Sequence, residues 1–412
     1  MTWPVLPLGD VAETALGKML DKGKPNGLPR VPYLRNINVQ WGRINTNDLL
    51  TMELADVDRD RFAVREGDLL VCEGGEIGRS AIWHGRADYL AYQKALHRVR
   101  PGDRLDVSFL RYLLEYHAQT GALAKLASGS TIAHLPQQQF RRLPVPVPPM
   151  QEQRRIVDLL EDHLSRLDAA EAGLRASLAR SGAMLTSGLW HTTHGLHTAK
   201  TVELQSIAEV RLGRQRSPKN HTGDRMRPYF RAANVGWNEL RLDDIKEMQF
   251  TEAEEHTYRL APGDILLTEA SGSPAEVGKS AVYRGEPPGV CFQNTLLRVR
   301  CHAADPEFVQ KYLLAEARAG RFMPESRGVG INHLGRTRLA ALPIDIPPPA
   351  QQATAVAACR ELVDQVGRLR FSINAQASRS EALRRSLLAA AFSGRLTGSA
   401  SDLSEDEEMI GA

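Results

Sequence analysis

The feature that most constrains this chain is a long helical run that occurs twice. Between residues 151 and 195, Leu160, Leu164, Leu167, Glu171, Leu174, Leu178, Ser181 and Leu185 alternate spacings of four and three, the heptad signature of a coiled coil. Moved on by 199 residues, these positions become Cys359, Val363, Val366, Arg370, Ile373, Ala377, Ser380 and Arg384, mostly apolar or small, in a second run at 351–394. About 40 helical residues make a rod of roughly 60 Å, and such a rod cannot bury its own seam. The simplest partner for each run is the other. An antiparallel pair about a pseudo-twofold axis brings Glu171 to Arg370, an opposite pair that sets the register; the alternative has both charges reaching out to solvent.

The duplication extends to the segments before each rod. WPVLPLGDVAETALGK at 3–18 returns as AKTVELQSIAEVRLGR at 199–214, and PYLRNINVQWGRI from Pro32 returns as PYFRAANVGWNEL from Pro228. Both of the latter read as a strand entering a polar loop, with Asn38 and Asn234 as turn formers and Trp41 and Trp237 beyond them. The buried strands GDLLV and GDILL follow. After them EGGEIGRSAIW, from Glu73, faces EASGSPAEVGKSAVY, from Glu269, which is four residues longer, although the positions from Glu76 and Glu276 onward match again. A loop that varies on a constant frame is where recognition is expected; this one contains Gly74, Gly75 and Arg79 in the first copy and Ser271, Ser273 and Lys279 in the second. AYQKALHRVR at 91–100 pairs with CFQNTLLRVR at 291–300. A helix capped by Asp106, and its copy opened by Asp305-Pro306, comes next. SGSTIAHL from Ser128 and RGVGINHL from Arg327 then lead through alternating prolines to the rods, an edge or extended segment.

The organisation is globular domain, rod, globular domain, rod: residues 1–149, 150–196, 197–349 and 350–396, with an acidic tail at 397–412 whose last fifteen residues read as disordered. The fold class is α+β, with two tandem mixed domains that each feed a long helix. The formal charge is +3, but Asp402, Glu405, Asp406, Glu407 and Glu408 lie together in the tail, so the rest of the chain carries about +8, a balance that permits a polyanionic partner. Four cysteines without CxxC spacing argue against a disulfide scaffold or zinc ribbon. No apolar run approaches membrane-spanning length and the first residues lack a signal-peptide layout. A reducing cytoplasm is the expected compartment.

Catalytic readings fare poorly. GSPAEVGKS at 272–280 has the outline of a phosphate loop, but its first glycine is one residue too far from Gly278 and its sister copy has no such form. Glu76 and Glu276, beside Arg79 and Lys279, read as surface ion pairs in preference to a metal centre. His191, His194 and His197 read as a solvated helix end. His134 and His333 lack an evident nucleophile or acid partner, which favours a structural or base-contacting role. What remains is binding by polar loops: Arg35, Asn36, Asn38, Trp41, Lys94, Ser130, Thr131 and His134 in the first domain, and Arg231, Asn234, Trp237, Asn294, Arg327, Asn332 and His333 in the second. Arg suits guanine edges, Asn and Gln suit adenine edges, and Lys holds phosphates. Two unlike readers on a fixed rod suit two short half-sites at fixed spacing on one duplex, about one helical turn between centres.

Taken in order, PYLRNINV, GDLL, GEIGRSA, a Gln before a basic strand, SGSTIAHL, LPVPVPPMQEQ and a long helix closing on Ala-Phe-Ser-Gly-Arg-Leu at 391–396 resemble the specificity subunit of type I restriction-modification systems over nearly the whole chain outside the tail. The resemblance implies that each globular unit is a target recognition domain and that the helices, read above as an antiparallel coiled coil, form the spacer between them. It further implies docking of two adenine methyltransferase subunits and a translocating restriction subunit. No catalysis is implied in this chain; S-adenosylmethionine, ATP and magnesium belong to its partners, and double-stranded DNA is the ligand. Two departures bear on docking: the first rod ends MLTSGLWHTTHG where the second has LRRSLLAAAFSG, and PPPAQQ lacks the Glu of PPMQEQ. The competing readings are an enzyme acting alone, a coiled-coil scaffold that never touches DNA, and the specificity protein of a related defence system.

Overall fold

The computed structural model describes residues 3–20, 27–85, 87–127, 134–196, 198–271, 273, 276–323 and 332–397. The acidic tail from residue 398 onward lies outside these residues. The chain divides into two compact units, residues 1–173 with 376–412, and residues 174–375.

Each unit is built on the same two sheets. In the first, Ala12–Leu16, Leu96–Pro101, Leu69–Cys72 and Ser80–Ile82 lie side by side, every pair antiparallel. A smaller sheet orders Leu50–Glu53, Arg30–Leu34 and Ala91–Tyr92, its last pair parallel. The second unit repeats both: Ala208–Leu212, Leu296–Cys301, Ile265–Thr268 and Ser280–Val282, then Lys246–Gln249, Met226–Phe230 and Cys291–Phe292. The GDLLV and GDILL segments are the fully buried strands that their unbroken apolar runs imply. The alternating prolines take an edge position, with Pro144–Pro146 paired to Val5–Pro7 and Pro343–Ile346 paired to Lys200–Glu203.

Helices Val107–Gln119 and Pro306–Arg318 pack on the larger sheets through Phe109, Leu110, Leu113 and through Phe308, Val309, Leu313. Asp106 caps the first by accepting from Ser108 N and Phe109 N, and Asp305 caps the second by accepting from Glu307 N. The basic strands hold their arginines inside. Arg98, 3% exposed, donates to Glu13, and Arg298, 2% exposed, donates to Glu209. Arg100 and Arg300 fork onto the buried Asp68 and Asp264. These four guanidinium groups are therefore paired within the units. All four cysteines are free, and burial pushes the Cys72 and Cys291 thiols up to about 11 and about 12.

The two heptad runs form helices Met150–Thr193 and Pro349–Phe392. Within the first unit the start of one packs antiparallel on the end of the other. Thr397 donates to Glu152, Arg384 bonds Asp168, and Ser380 Oγ donates to Glu171 at 3.0 Å. Leu160 and Leu164 are buried here with Leu388 and Ala391, and Leu167 packs against them. In the second unit Leu185 and Leu189 pack on Cys359 and Val366, flanked by Leu362 and Val363, and Ile373 is buried as well. Leu174 and Leu178 are half-buried. Glu171 accepts from Ser380 Oγ within the first unit, and Arg370 is exposed in the second, where its charge bears on Arg318.

The joint between domain and helix rests on one glutamine. Gln153, fully buried, accepts from Asp106 N at 2.8 Å and donates to Arg104 O and Pro148 O. Gln352 does the same in the second unit, accepting from Asp305 N at 2.9 Å and donating to Pro347 O. The Glu missing from PPPAQQ is replaced in function: Glu152 accepts the Thr397 hydroxyl, and Gln351, at the matching position, accepts the Thr198 hydroxyl at 2.6 Å. The other departure is a correction to the solvated helix end. His191 is exposed and His197 lies outside the described residues, but His194 is stacked between Trp190 and Tyr312, at 3.7 and 3.9 Å between ring centroids, and bonds Glu316 at 2.9 Å.

Replacing Gln153 by Ala leaves one N–H and two carbonyls without their partner, the Pro148 carbonyl in the interior, and we expect the first unit to lose roughly 2 kcal/mol. Hydrogen exchange should show faster opening at 104–119 while 303–318 keeps its protection.

Candidate nucleic-acid interface

The polar loops converge by a repeated device. Gly17 and Gly213 bring the end of the first strand against the Gln93 and Gln293 carbonyls so closely that a Cβ would lie 2.3 and 2.2 Å from them. Next to this contact Lys94 N donates to Lys18 O, and Asn294 N donates to Arg214 O. The varying loop is tied to the same place from the other side. Glu73 N donates to Ala95 O and accepts Leu135 N on its carbonyl, while Gly74 pairs with His134. In the second unit Glu269 N donates to Thr295 O, Leu334 N donates to Glu269 O, and Ala270 pairs with His333. Segments far apart in sequence thus meet at one edge of each unit.

The structure sorts the predicted residues into framework and surface. Asn38 and Asn234 are each 2% exposed and are corrected to framework. Asn38 Oδ1 accepts from Arg35 N, and its amide donates to Asn45 O and Asp48 O; Asn234 repeats the set with Arg231 N, Arg241 O and Asp244 O. A buried amide with both ends engaged has nothing left for a base edge. Arg79 is corrected likewise: it donates to Glu76 Oε2 and to both oxygens of Asn36, and its Nε is buried without a partner. Asn36 in turn donates to Gly74 O at 2.7 Å. Lys279, 8% exposed, is paired with Glu276. These ion pairs agree with the plain reading of Glu76 and Glu276, and they place Gly74, itself buried, in the framework.

The partly or fully exposed residues are fewer. Arg35 and Arg231 keep 23% and 29% of their side chains exposed beside Asp48 and Asp244. Lys246, and then Arg231, holds the Asp244 carboxyl below the usual carboxylate range. Lys94, Gly75, His134, Ser273 and His333 are exposed, and Asn294 is half-buried. Trp41 donates to Glu76 at 2.6 Å, and both line a cleft of about 980 Å³ in which Glu115 pairs with Arg111 and Arg384. Trp237 lies under the Arg318 guanidinium at 4.6 Å. Ser130, Thr131 and Arg327 lie outside the described residues, as do the side chains of Ser271 and Asn332.

Two pairs of residues at this edge escaped the sequence reading. Lys18 and Arg214 sit beside Gln93 and Gln293, and Glu73 and Glu269 anchor the varying loop. The available signal was their retention in both copies, LGK against LGR and a Glu at the head of each loop. Among the described residues no group of three or more His, Cys, Asp or Glu is placed to hold a metal ion.

The duplicated frame with its unlike loops is what a family of DNA readers would share, and comparison decides the point: the type I restriction modification DNA specificity domain matches residues 1–180 and 197–366. The chain belongs to that family. As a type I specificity subunit it is the non-catalytic member of its system, and the family brings no cofactor to this chain. It is 23% identical over 417 residues to the type I restriction enzyme EcoKI specificity subunit of Escherichia coli (strain K12), covering 96% of this chain and 89% of that one. It is also 23% identical over 388 residues to the StySPI specificity subunit of Salmonella potsdam, covering 89% and 82%. A chain solved in work on complex assembly and conformational transition of the type I R-M system matches with a TM-score of 0.76 at 18% identity, covering 96% of this chain and 98% of that one. The HsdS subunit from Thermoanaerobacter tengcongensis matches at 0.54 and 17%, covering 96% and 97%. These two likenesses show that the specificity subunit's fold is shared.

One buried group under this edge gives the first unit a pH dependence for which the second has no matching residue. His97, fully buried against Phe140, bonds Leu135 O through Nε2 at 2.9 Å, and its Nδ1 has no partner. Burial pushes its pKa down to about 4. The unfolded chain takes up a proton near pH 6.5 and the folded one only near 4, so stability is intact above that window and is lost as pH falls through it, on the order of 3 kcal/mol. The matching position in the second unit is Leu297. Thermal unfolding followed from pH 7 to 4 should show the first unit weakening first, and His97→Leu should flatten that slope.

Proposed function

We propose that this chain selects the DNA sequence at which a type I complex acts, each globular unit reading one half of a bipartite double-stranded target. Residues 1–149 and 197–349 serve as the two target recognition domains, and the helical stretches 150–196 and 350–396 as the spacers between them. The observation that carries this reading is one frame built twice with different chemistry at matching positions of the recognition edge: Asn36 against Ala232, Ala95 against Thr295, and a varying loop longer by four residues in the second copy. A duplicated enzyme would repeat its reacting groups, whereas a reader of two different half-sites keeps the frame and changes the loops. The DNA contacts are drawn from Arg35, Gly75, Lys94 and His134 in the first unit and from Arg231, Ser273, Asn294 and His333 in the second, with Lys18 and Arg214 added by the fold; Asn36, bonded to Gly74 O and Arg79, shapes the loop that carries them.

The remaining functions follow the family. Two adenine methyltransferase subunits dock on this chain and a translocating restriction subunit joins them. S-adenosylmethionine, ATP and magnesium are bound by those partners, in the cytoplasm where the DNA lies. Among the described residues no helix is long and apolar enough to cross a membrane.

A map of methylated adenines in the host, with and without this gene, tests the reading. We expect one motif of two short half-sites around a fixed unspecified gap to disappear with the gene. Exchange of residues 1–149 for another chain's domain should change one half only. Unchanged methylation while the partner methyltransferase is expressed would count against the proposal and favour a scaffold that never reads DNA.

A further inference from the structure

The second unit's recognition edge holds a bonded pair that is not found among the described residues of the first. His333 is 57% exposed at its side chain, yet its Nδ1 lies 2.9 Å from Oε2 of Glu269, a residue only 8% exposed. An ionised carboxylate only accepts, so the bond requires the proton on Nδ1. Nε2 is then the ring's remaining polar atom, on the side away from the buried acid.

Glu269 is itself fixed from three directions. Its N–H donates to Thr295 O, and its carbonyl accepts Leu334 N, both at 2.9 Å. Strand pairing sets Ala270 against His333. Thr295 is tied further, since its hydroxyl accepts Ala232 N in the turn that carries Arg231. The carboxylate therefore stands on a frame that joins three of the segments meeting at this edge, and the histidine inherits that rigidity. A side chain whose rotamer is held in advance loses less entropy on meeting a ligand and meets it in one orientation. In the first unit the backbone seat is the same, with Leu135 N on Glu73 O and Gly74 paired to His134. Among the described residues, however, no carboxylate bonds the His134 ring.

We propose that Glu269 is a positioning residue for DNA readout: it fixes the tautomer and direction of His333 so that Nε2 meets a base edge in the half-site read by the second unit. The inference rests on the proposed function and adds to it a specificity determinant confined to one half of the target. Neutral imidazole offers an acceptor at Nε2, suited to the amino group of adenine or cytosine, while the protonated ring offers a donor suited to guanine.

The test uses the full chain reconstituted with its methyltransferase subunits. Binding is measured to the cognate duplex found by methylation mapping and to duplexes changed one base pair at a time in either half. His333→Ala should weaken cognate binding about tenfold and abolish discrimination at one base pair of one half. Glu269→Ala should do the same, and the double variant should be no worse than either single one. Glu269→Gln, which still offers an oxygen to Nδ1–H, should restore most of the discrimination. Discrimination in the other half should be unmoved in every variant, a result that general loss of structure would not give.

Three results would overturn the proposal while leaving the proposed function standing. The first is discrimination that survives Glu269→Ala but not His333→Ala. The second is a uniform loss of affinity with a smaller salt slope, which marks a phosphate contact. The third is wild-type behaviour in all variants. A wild-type complex that discriminates no duplex at all would sink both.

Discussion

A helix of 44 residues with an apolar seam has to be covered along its whole length, and this chain covers it by division. Helix Met150–Thr193 gives residues to 173 to the first unit and the rest to the second; helix Pro349–Phe392 gives its beginning to the second unit and its end to the first. Neither unit has a complete core without a segment of the other helix. Leu388 and Ala391 belong to the first core although they lie more than 200 residues from most of it, and Leu185 and Leu189 pack with Cys359 and Val366 in the second. The seam is consequently the element on which both domains depend for closure, and substitutions there act on stability before they act on recognition.

The buried arginines follow a similar logic. A strand carrying Arg98 and Arg100, or Arg298 and Arg300, is expensive to bury unless each guanidinium meets a carboxylate and backbone carbonyls. Glu13 with Asp68, and Glu209 with Asp264, meet that requirement in the two units. A count of net charge does not reveal that these arginines are held inside by the fold. The same holds for Arg79 and Lys279. Net charge permits a polyanionic partner, but it does not distinguish the cations that the fold pairs internally from those left at the surface.

What was legible in the sequence was what local rules determine. Heptad spacing located both long helices, Asp106 and Asp305 marked helix starts, and unbroken apolar runs marked the buried strands, because each depends on neighbours within a turn or two of chain. The recognition edge was legible only in outline. Whether an asparagine reads a base or closes a turn depends on what its amide meets, and Asn38 finds carbonyls at Asn45 and Asp48 that no spacing rule announces. His194, taken for a solvated end, is stacked because Tyr312 and Glu316 arrive from a helix more than a hundred residues away. The pair of Glu269 and His333 needed two loops to be brought together, and the retained glutamate at the loop head was the only trace of it beforehand.

The glutamine at each domain-helix joint has one further consequence. Gln153 touches the domain through the N–H of Asp106 and the carbonyl of Arg104, and Gln352 touches its domain through the N–H of Asp305. Every one of these contacts is to main chain. A fastening that engages only the peptide backbone is indifferent to the side chains displayed above it, so a domain with entirely different loops can be seated on the same helix with the joint unchanged. The joint thereby separates what must stay constant from what may drift: the peptide groups that the glutamine grips are fixed, while the loop side chains beyond them are free to change.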